Sequence, residues 1–274
     1  MTPDPPTTGQ AVCYRHPDRP TGLSCSNCGR AICGSCAVPG TVGQFCPECA
    51  RERGSQRIVP TRRRGGLRKV APGTFAILAV TIGIYVLTRL SRPTFLEFVN
   101  LFAQGNLAVA EGDWYRIFTP VLLHANTLHV AFNMWALYQL GPAVERRTGL
   151  LSYTGLYLAA AGWGGAFAYR LGGAEDVLIG ASGAIFGLFG LWLHSAYRLR
   201  DTAFGRNLLS SLGFTLLINA ALPLLIPGIS WQGHLGGLVA GIITGELWSR
   251  VRDPRTRALV PLGMALVAVL SVVF

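Results

Sequence analysis

Long apolar segments alternate with short polar ones from about residue 71 to the end of the chain. Each apolar segment has close to the roughly 20 residues that an α-helix needs to cross the hydrocarbon core of a bilayer. The predicted spans lie near 71–90, 121–141, 150–171, 180–199, 207–226, 231–249 and 257–274. The pattern therefore predicts an all-α, polytopic membrane helix bundle whose last transmembrane helix is at the C-terminus.

Residues 91–120 and several glycine-rich segments depart from this simple pattern. The first stretch mixes aromatic residues with charged and amide side chains, so it is predicted to be a long loop with pieces at the membrane interface. Segments 162–169, 180–190 and 236–241 are rich in Gly and Ala. Small residues let helices approach closely where lipid removes the hydrophobic drive for association, so we expect these segments to be packing faces.

The first seventy residues have a different composition. Residues 1–11 are rich in Pro and Thr and are predicted to be disordered. Residues 12–50 contain every cysteine, 51–70 form a basic linker, and 71–274 form the predicted membrane domain. No apolar signal-peptide segment occurs before residue 71, so we expect the N-terminus to be cytoplasmic.

The distribution of charge supports a membrane protein. Only 14% of the 274 residues are charged, against about a quarter in soluble domains. The net charge of +11 would suit a nucleic-acid binder, but the basic residues lie mostly at the ends of apolar segments. There they are typical of topology signals and lipid-headgroup contacts, so no nucleic-acid partner is expected. The preference for Arg, Ala and Gly favours a bacterial source.

The loop charges predict an orientation. Cytoplasmic loops of membrane proteins carry an excess of Lys and Arg. With the N-terminus inside, four arginines fall outside, namely Arg89, Arg92, Arg116 and Arg170. Fourteen basic residues fall inside, namely Arg62, Arg63, Arg64, Arg68, Lys69, Arg146, Arg147, Arg198, Arg200, Arg206, Arg250, Arg252, Arg255 and Arg257. This predicts a multi-pass protein of an inner or plasma membrane with its C-terminus extracytoplasmic.

Two polar residues within the predicted spans have the chemistry of a nucleophile and a base. Ser182 lies in Gly180-Ala181-Ser182-Gly183, and His234 opens the sixth span. A serine hydroxyl is a poor nucleophile until a base takes its proton, so a Ser–His pair is the minimal machinery for acyl transfer. Both residues lie near the outer ends of their spans and would meet at one depth. Taken singly, Ser182 also fits a hydrogen bond to a carbonyl of its own helix, and His234 fits a structural hydrogen bond or a metal ligand.

Two further polar residues lie in the second span. His129 and Asn133 are four residues apart and therefore share a helix face. Two donors on one face suit an oxyanion hole, and the backbone N–H of Ser182 would add a third. His124 lies at the mouth of the same span. The alternative is a transporter that uses the histidines as a proton relay, although we see neither inverted repeats nor acidic residues in mid-span.

These motifs together resemble the rhomboid family of intramembrane proteases, over residues 71–250. The resemblance rests on Leu123-His124-(x4)-His129-(x3)-Asn133-Met134, Gly180-Ala181-Ser182-Gly183, His234-x-x-Gly237-x-x-x-Gly241, and Tyr115-Arg116, where the family has Trp-Arg. It implies six core helices plus a seventh, and Ser182 as nucleophile with His234 as base. His129 and Asn133 would be oxyanion donors, with Gly180 and His124 positioning the substrate.

The resemblance also implies substrates that are transmembrane segments of membrane proteins, cut near their extracytoplasmic ends. A related alternative is a rhomboid-like pseudoprotease that binds membrane helices without cleaving them. Loss of the serine or histidine would be its signature, and both residues are present. His194 and Glu246, near the inner ends of their spans, are interpreted as interfacial and structural.

The cysteines predict a metal domain in residues 12–50. The potential ligands form four pairs, Cys13 with His16, Cys25 with Cys28, Cys33 with Cys36, and Cys46 with Cys49. Eight ligands suffice for two tetrahedral zinc ions, whereas seven cysteines in a reducing compartment suit disulfides poorly. The segment is too short to bury a sizeable core, so the metal would supply the folding energy.

The order of the ligands resembles B-box-like zinc domains. That resemblance implies a cross-brace, with Cys13, His16, Cys33 and Cys36 on one ion and Cys25, Cys28, Cys46 and Cys49 on the other. Sequential pairing is the alternative. We expect a cytoplasmic protein partner for this domain, which the sequence does not identify.

Overall fold

The structure, a computed structural model, describes residues 11–39, 43–55, 71–226, 228–251 and 253–274. Contacts divide the chain into two units, Met1–Arg64 and Gly65–Phe274. The predicted disordered tail, 1–11, lies outside the described residues except for its last residue. The predicted linker, 51–70, lies outside them from residue 56 onward, and residues 51–55 belong to a helix.

The N-terminal unit consists of short elements around its cysteines. Strands β1 (Val12–Cys13) and β2 (His16–Pro20) pair antiparallel, as do β3 (Val38–Pro39) and β4 (Gln44–Phe45). Helix α1 (Pro47–Ser55) follows. The buried cluster contains six cysteines and only two other residues, Ile32 and Phe45. Hydrophobic burial is therefore small in this unit.

The second unit is a bundle of helices. The long ones are α2 (Pro72–Leu90), α5 (Thr127–Thr148), α6 (Leu150–Leu171), α7 (Ser182–Arg198), α8 (Ala203–Leu225), α9 (Trp231–Arg250) and α10 (Pro254–Val273). Each coincides with one predicted span, and the all-α, polytopic membrane helix bundle is confirmed. By length and composition, α2, α8 and α10 are apolar enough to cross a membrane. The other four carry the glycine-rich segments and the polar candidate residues.

Helix α5 differs from its predicted span at both ends. The second span was expected at 121–141, whereas α5 begins at Thr127, where Asn126 accepts a hydrogen bond from the His129 N–H, and continues to Thr148. Before it, Pro120 lies in a 3₁₀ turn, Thr119–Leu122. Capping by Asn126 and the proline turn thus decide where this helix begins.

The segment predicted to be a loop is ordered by short elements. Helices α3 (Arg92–Phe102) and α4 (Asn106–Ala110) are followed by the 3₁₀ turn Trp114–Ile117. Between α3 and α4, β5 (Gln104–Gly105) pairs with β6 (Val177–Leu178), which leads towards Ser182. Arg116 donates to the carbonyls of Asn100 and Ala103 and so ties this segment together.

Glycines bring the central helices into backbone contact. A Cβ at Gly237 of α9 would lie 1.9 Å from the Gly183 carbonyl oxygen of α7, and one at Gly241 would lie 2.0 Å from that of Gly187. A Cβ at Gly236 would lie 2.3 Å from the carbonyl oxygen of Trp163 in α6. The prediction that these segments are packing faces is confirmed. The close approach places the first turns of α7 and α9 side by side.

A buried carboxylate joins α5 to α2. Glu145 is 3% exposed and accepts hydrogen bonds from the backbone N–H groups of Gly73 and Thr74 and from the Thr74 hydroxyl, each at 2.8 Å. Negative charge at a helix N-terminus is favourable because the first N–H groups have no partner within the helix. Glu145 therefore secures the start of α2, a role that its position in the sequence did not suggest.

Candidate active site and metal centres

Ser182 is the first residue of α7 and follows a glycine with an unusual backbone. Gly180 has φ of +125°, a conformation that L side chains rarely adopt. A Cβ there would lie 2.7 Å from Nε2 of His129 and 3.9 Å from Oγ of Ser182. Gly180 is thus required both by its backbone and by the approach of the histidine ring. The same measurement places His129 and Ser182 around one small space.

His234 lies in the first turn of α9, which is capped by the Ser230 hydroxyl. Its imidazole stacks on the Phe186 ring, with centroids 4.2 Å apart and planes 7° apart. Phe186 follows Ser182 by one helical turn and shares its face. The Ser182 nucleophile and the His234 base predicted from the sequence therefore flank the same aromatic ring.

In the part of the chain that the structure describes, the Ser182 hydroxyl and the His234 ring make no hydrogen bond to another protein group. Catalytic hydrogen bonds are often long without substrate and tighten in the reacting complex. A void of about 10 Å³ beside Ser182 is lined by Gly180, Gly183 and Gly233, among others. It is about the size of one water molecule, so a peptide must displace some of the local packing in order to bind.

His124 and His129 meet edge to face, with ring centroids 4.9 Å apart. His124 is buried, and its Nε2 accepts a hydrogen bond of 3.5 Å from the Ala181 N–H. His129 is less buried and borders Gly180. His124 consequently supports the backbone that precedes Ser182, whereas the His129 ring is available at the site itself.

Asn133 lies one turn further along α5 and is buried. Its Nδ2 donates to the His129 carbonyl oxygen at 2.8 Å. One amide hydrogen is used by this bond, and the second is left for another acceptor. His129 and Asn133 share a helix face, as predicted, but one amide hydrogen of Asn133 is bonded within its own helix.

The starting turns of three helices thus supply the predicted nucleophile, the predicted base and one of the two predicted oxyanion side chains. Ser182, His234 and His129 each lie within the first four residues of α7, α9 and α5. His194 and Glu246 lie towards the opposite end, where they pair at 3.0 Å. The sequence analysis did not identify Phe186, although its spacing of four residues from Ser182 was a usable signal.

In the N-terminal unit, the ligand atoms form two groups, each within 4.8 Å of one another. The groups are Cys13, His16, Cys33 and Cys36, and Cys25, Cys28, Cys46 and Cys49. The grouping is that of the cross-brace rather than of sequential pairs. Cys28 is exposed, His16 is half-buried, and the other six residues of the two groups are buried. The two groups together contain all eight residues that the spacing argument named as potential ligands.

The distances within the groups can be compared with a tetrahedral metal site. His16 Nδ1 lies 3.7, 3.5 and 3.3 Å from the sulfurs of Cys13, Cys33 and Cys36. Zinc bonds of about 2.3 Å to sulfur and 2.0 Å to nitrogen give N···S edges of about 3.5 Å. The corresponding S···S edge is about 3.8 Å, and the sulfurs of Cys28 and Cys46 are 3.8 Å apart. The donor set and its dimensions fit such an ion.

The electrostatics of the thiols favour a cation. Burial raises the pKa of the Cys13 thiol, but hydrogen bonds from backbone N–H groups and from His16 outweigh it and lower the pKa to about 6. Burial and the neighbouring thiols raise the pKa of Cys36 to about 11. A thiolate in this group therefore opposes ionisation of the other thiols around it. A bound cation would remove this conflict, because metal ligation requires every thiol to be deprotonated.

The fold and the site together define a class, that of polytopic membrane proteins with a serine and a histidine converging at the ends of small-residue helices. Comparison with known proteins agrees. The model of the Rhomboid domain family matches residues 111–251. The chain therefore belongs to the rhomboid family.

Three relatives illustrate the similarity. Rhomboid protease GluP of Bacillus subtilis is 34% identical over 170 residues, which are 61% of this chain and 33% of the relative. The rhomboid-family protein YdcA of the same species is 31% identical over 188 residues, covering 68% of this chain and 94% of the relative. Rhomboid-like protease 1 of Toxoplasma gondii is 36% identical over 147 residues, covering 52% and 50%. The chain thus spans a third to a half of two of these relatives and almost all of the third.

Proposed function

We propose that this rhomboid is an intramembrane serine endopeptidase that cleaves transmembrane segments of membrane proteins with Ser182 and His234 as its catalytic dyad. The observation that carries the proposal is the stacking of His234 on Phe186, one turn from Ser182, at 4.2 Å between centroids. The family membership and the names of the relatives, which include several rhomboid proteases, support the reaction class.

In this proposal Ser182 Oγ attacks the carbonyl carbon of the scissile peptide bond while His234 takes the hydroxyl proton. The His129 ring, the second amide hydrogen of Asn133 and the Ser182 backbone N–H donate to the oxyanion that forms. His234 then gives its proton to the leaving amine, and the peptide C–N bond breaks. Water hydrolyses the acyl-enzyme, with His234 again as base, and Ser182 is regenerated.

A fluorophosphonate probe tests the nucleophile directly. The wild-type protein in detergent is expected to gain one covalent adduct, which peptide mapping places on Ser182. His234→Ala should label far more slowly, because the hydroxyl loses its base. An adduct on another residue would refute the dyad. A labelled Ser182 without cleavage of any single-span substrate would favour the pseudoprotease instead.

We also propose that the N-terminus is cytoplasmic and that cleavage occurs near the extracytoplasmic face. The helix ends that carry Ser182, His129 and His234 lie together, and the opposite ends carry most of the loop arginines. Positive charge marks the cytoplasmic side. A cysteine introduced at Gly228, which precedes α9, tests this in a variant lacking the native cysteines. Labelling only from the cytoplasmic side would overturn both the orientation and the depth of the site.

For the N-terminal unit we propose two structural zinc ions bound in a cross-brace. The N···S distances of 3.3 to 3.7 Å around His16 support this proposal. The two bindings are independent of the hydrolytic site, because none of their ligands belongs to the bundle. Elemental analysis of protein purified without chelator should give two zinc ions per chain. One ion or none would refute it.

A further inference from the structure

A second cavity, of about 320 Å³, lies at the end of the bundle opposite to Ser182. It is lined by residues in the C-terminal halves of α5, α7 and α9 and in the first turn of α10. Its volume is at the lower end of the range for small-molecule sites, about 300–1,000 Å³. None of the residues assigned to hydrolysis lines this cavity, so it requires a separate explanation.

The cavity is strongly basic. Arg147, Arg198 and Arg257 line it, and none of its described lining residues is acidic. Arg257 donates only to neutral groups, the carbonyls of Val251 and Trp248. Arg147 and Arg198 have no carboxylate partner within the described ranges. The cavity therefore concentrates positive charge that the protein itself does not neutralise.

The carboxylate that pairs with a lining residue of the cavity is already engaged. Glu246 pairs with His194 at 3.0 Å and with Arg250 at 2.8 Å. His194 lines the cavity. Its ring is held in position by the Glu246 carboxylate. Because this carboxylate is committed, it does not satisfy the arginines of the cavity. An external anion would meet no local competitor among the described side chains.

A buried donor also lacks its acceptor. The indole N–H of Trp248 donates to the Arg257 carbonyl oxygen at 2.8 Å. The indole N–H of Trp192, another lining residue, is buried and has no acceptor in the described part of the chain. The Arg147 guanidinium lies 5.2 Å from the centroid of the Trp192 ring. Buried polar groups are normally paired, so an acceptor oxygen in the cavity would complete this one.

From these observations we infer that the cavity binds the phosphate-bearing headgroup of an anionic membrane lipid. Guanidinium groups match phosphate oxygens in a bidentate manner. Basic pockets between transmembrane helices are suited to anionic headgroups. Val144, Leu191 and Leu199 add apolar wall, which suits the glycerol and upper acyl chain of a lipid better than free phosphate.

The test uses the full chain in a neutral detergent. Dihexanoyl phosphatidylglycerol, dihexanoyl phosphatidylcholine and inorganic phosphate are titrated separately, and native mass spectrometry counts the bound molecules and gives each dissociation constant. Wild type is expected to bind one phosphatidylglycerol, and to bind phosphatidylcholine and phosphate much more weakly. Phosphate binding as tightly as the anionic lipid would overturn the lipid assignment.

Matched variants separate the cavity from general surface attraction. Arg147→Gln with Arg198→Gln should weaken phosphatidylglycerol binding about thirtyfold, since each arginine near an anionic surface contributes roughly a fivefold factor. The control is a double variant, Arg200→Gln with Arg206→Gln, which makes the same change of charge outside the cavity lining. It should bind phosphatidylglycerol with the wild-type affinity. Equal losses in both double variants would overturn the inference.

Trp192→Phe supplies a test without any change of charge. It removes the buried N–H while keeping an aromatic ring beside Arg147. Phosphatidylglycerol should bind several-fold more weakly, with unchanged helicity by circular dichroism. If the arginine double variant fails to fold, this variant decides alone, and an unchanged dissociation constant would count against the site.

Discussion

The two units of this chain are stabilised in opposite ways. In residues 12–50 the buried cluster is six cysteines with Ile32 and Phe45, so little apolar surface is removed from water. In the bundle, glycine carbonyls and glycine α-carbons meet directly, as where α9 crosses α7 at Gly237 and Gly183. Under the proposed metal binding, the first unit would depend on ions that the chain must acquire, whereas the second depends on close packing within the chain itself.

This difference has a consequence for how each unit responds to change. A structural tetrahedral metal site needs all four of its ligands, because removing one leaves the coordination of the metal incomplete. Helix packing in a bilayer is spread over many van der Waals contacts, each individually small. We therefore expect each proposed metal site to be lost completely when one of its ligands is removed, and the bundle to lose stability gradually.

The largest expected effect is the loss of metal. A strong chelator should unfold residues 12–50, because binding free energies of about 10–16 kcal/mol for structural zinc are folding energy in such domains. The bundle should keep its helicity and its fluorophosphonate labelling. Zinc content measures the loss of metal, limited proteolysis measures the unfolding of residues 12–50, and circular dichroism measures the helicity of the bundle. Loss of bundle helicity on chelation would show that the units are not independent.

The cross-brace can be tested in the same preparation. Cys13→Ser and Cys33→Ser should each remove the same ion, and Cys25→Ser the other. Cobalt substitution reports each site by its absorption. If Cys13→Ser and Cys25→Ser remove one common ion, the pairing is sequential.

Next in size is the nucleophile. Ser182→Ala should reduce cleavage of a single-span substrate by about 10⁶-fold, as for loss of the serine in a soluble serine protease. Zinc content and helicity should not change. Ser195→Ala, on the same helix but bonded to its own backbone at Leu191, is the control and should retain cleavage. Residual cleavage near the wild-type rate would show that another group is the nucleophile.

A smaller effect is expected from the oxyanion donors. Asn133→Ala and His129→Ala should each lower kcat by about 100–1000-fold, with KM little changed, because the lost donors act on developing charge. Asn219→Ala is a matched control, since Asn219 bonds to the carbonyl four residues earlier, as Asn133 does, but lies on α8. Unchanged rates in both site variants would make these residues structural.

The smallest effect concerns packing. Gly237→Ala places a Cβ 1.9 Å from the Gly183 carbonyl oxygen, so the helices must separate. Overpacking typically costs about 1–3 kcal/mol, and the shift should also slow cleavage because it moves His234. Gly263→Ala in α10, where a Cβ meets nothing within 4 Å, should be neutral or slightly stabilising. Thermal unfolding in detergent compares the two, and equal midpoints would refute close packing at Gly237.

Much of the bundle could be predicted because its determinants are local. A span of roughly 20 apolar residues must be helical in lipid, since every backbone group needs a partner within the segment. The ligand spacing in residues 12–50 likewise named all eight residues that the structure brings together in two potential metal-binding groups. The order of the segment from Arg92 to Leu122 was not predicted. It depends on side-chain bonds from Arg116 to backbone carbonyls, which have no sequence pattern, and on pairing with the distant strand β6.

By itself, the sequence determined which residue types were available and on which helices they stood. Hydrophobic length sets the helices, and a histidine, a serine and an asparagine within them are costly enough in lipid to indicate function. The tertiary structure alone decided which of them meet. The cross-brace grouping, the stacking of His234 on Phe186, the role of Glu145 at α2 and the basic cavity all join residues far apart in the chain. Such contacts depend on how closely two backbones approach, and that distance is set by packing in three dimensions rather than by any local pattern.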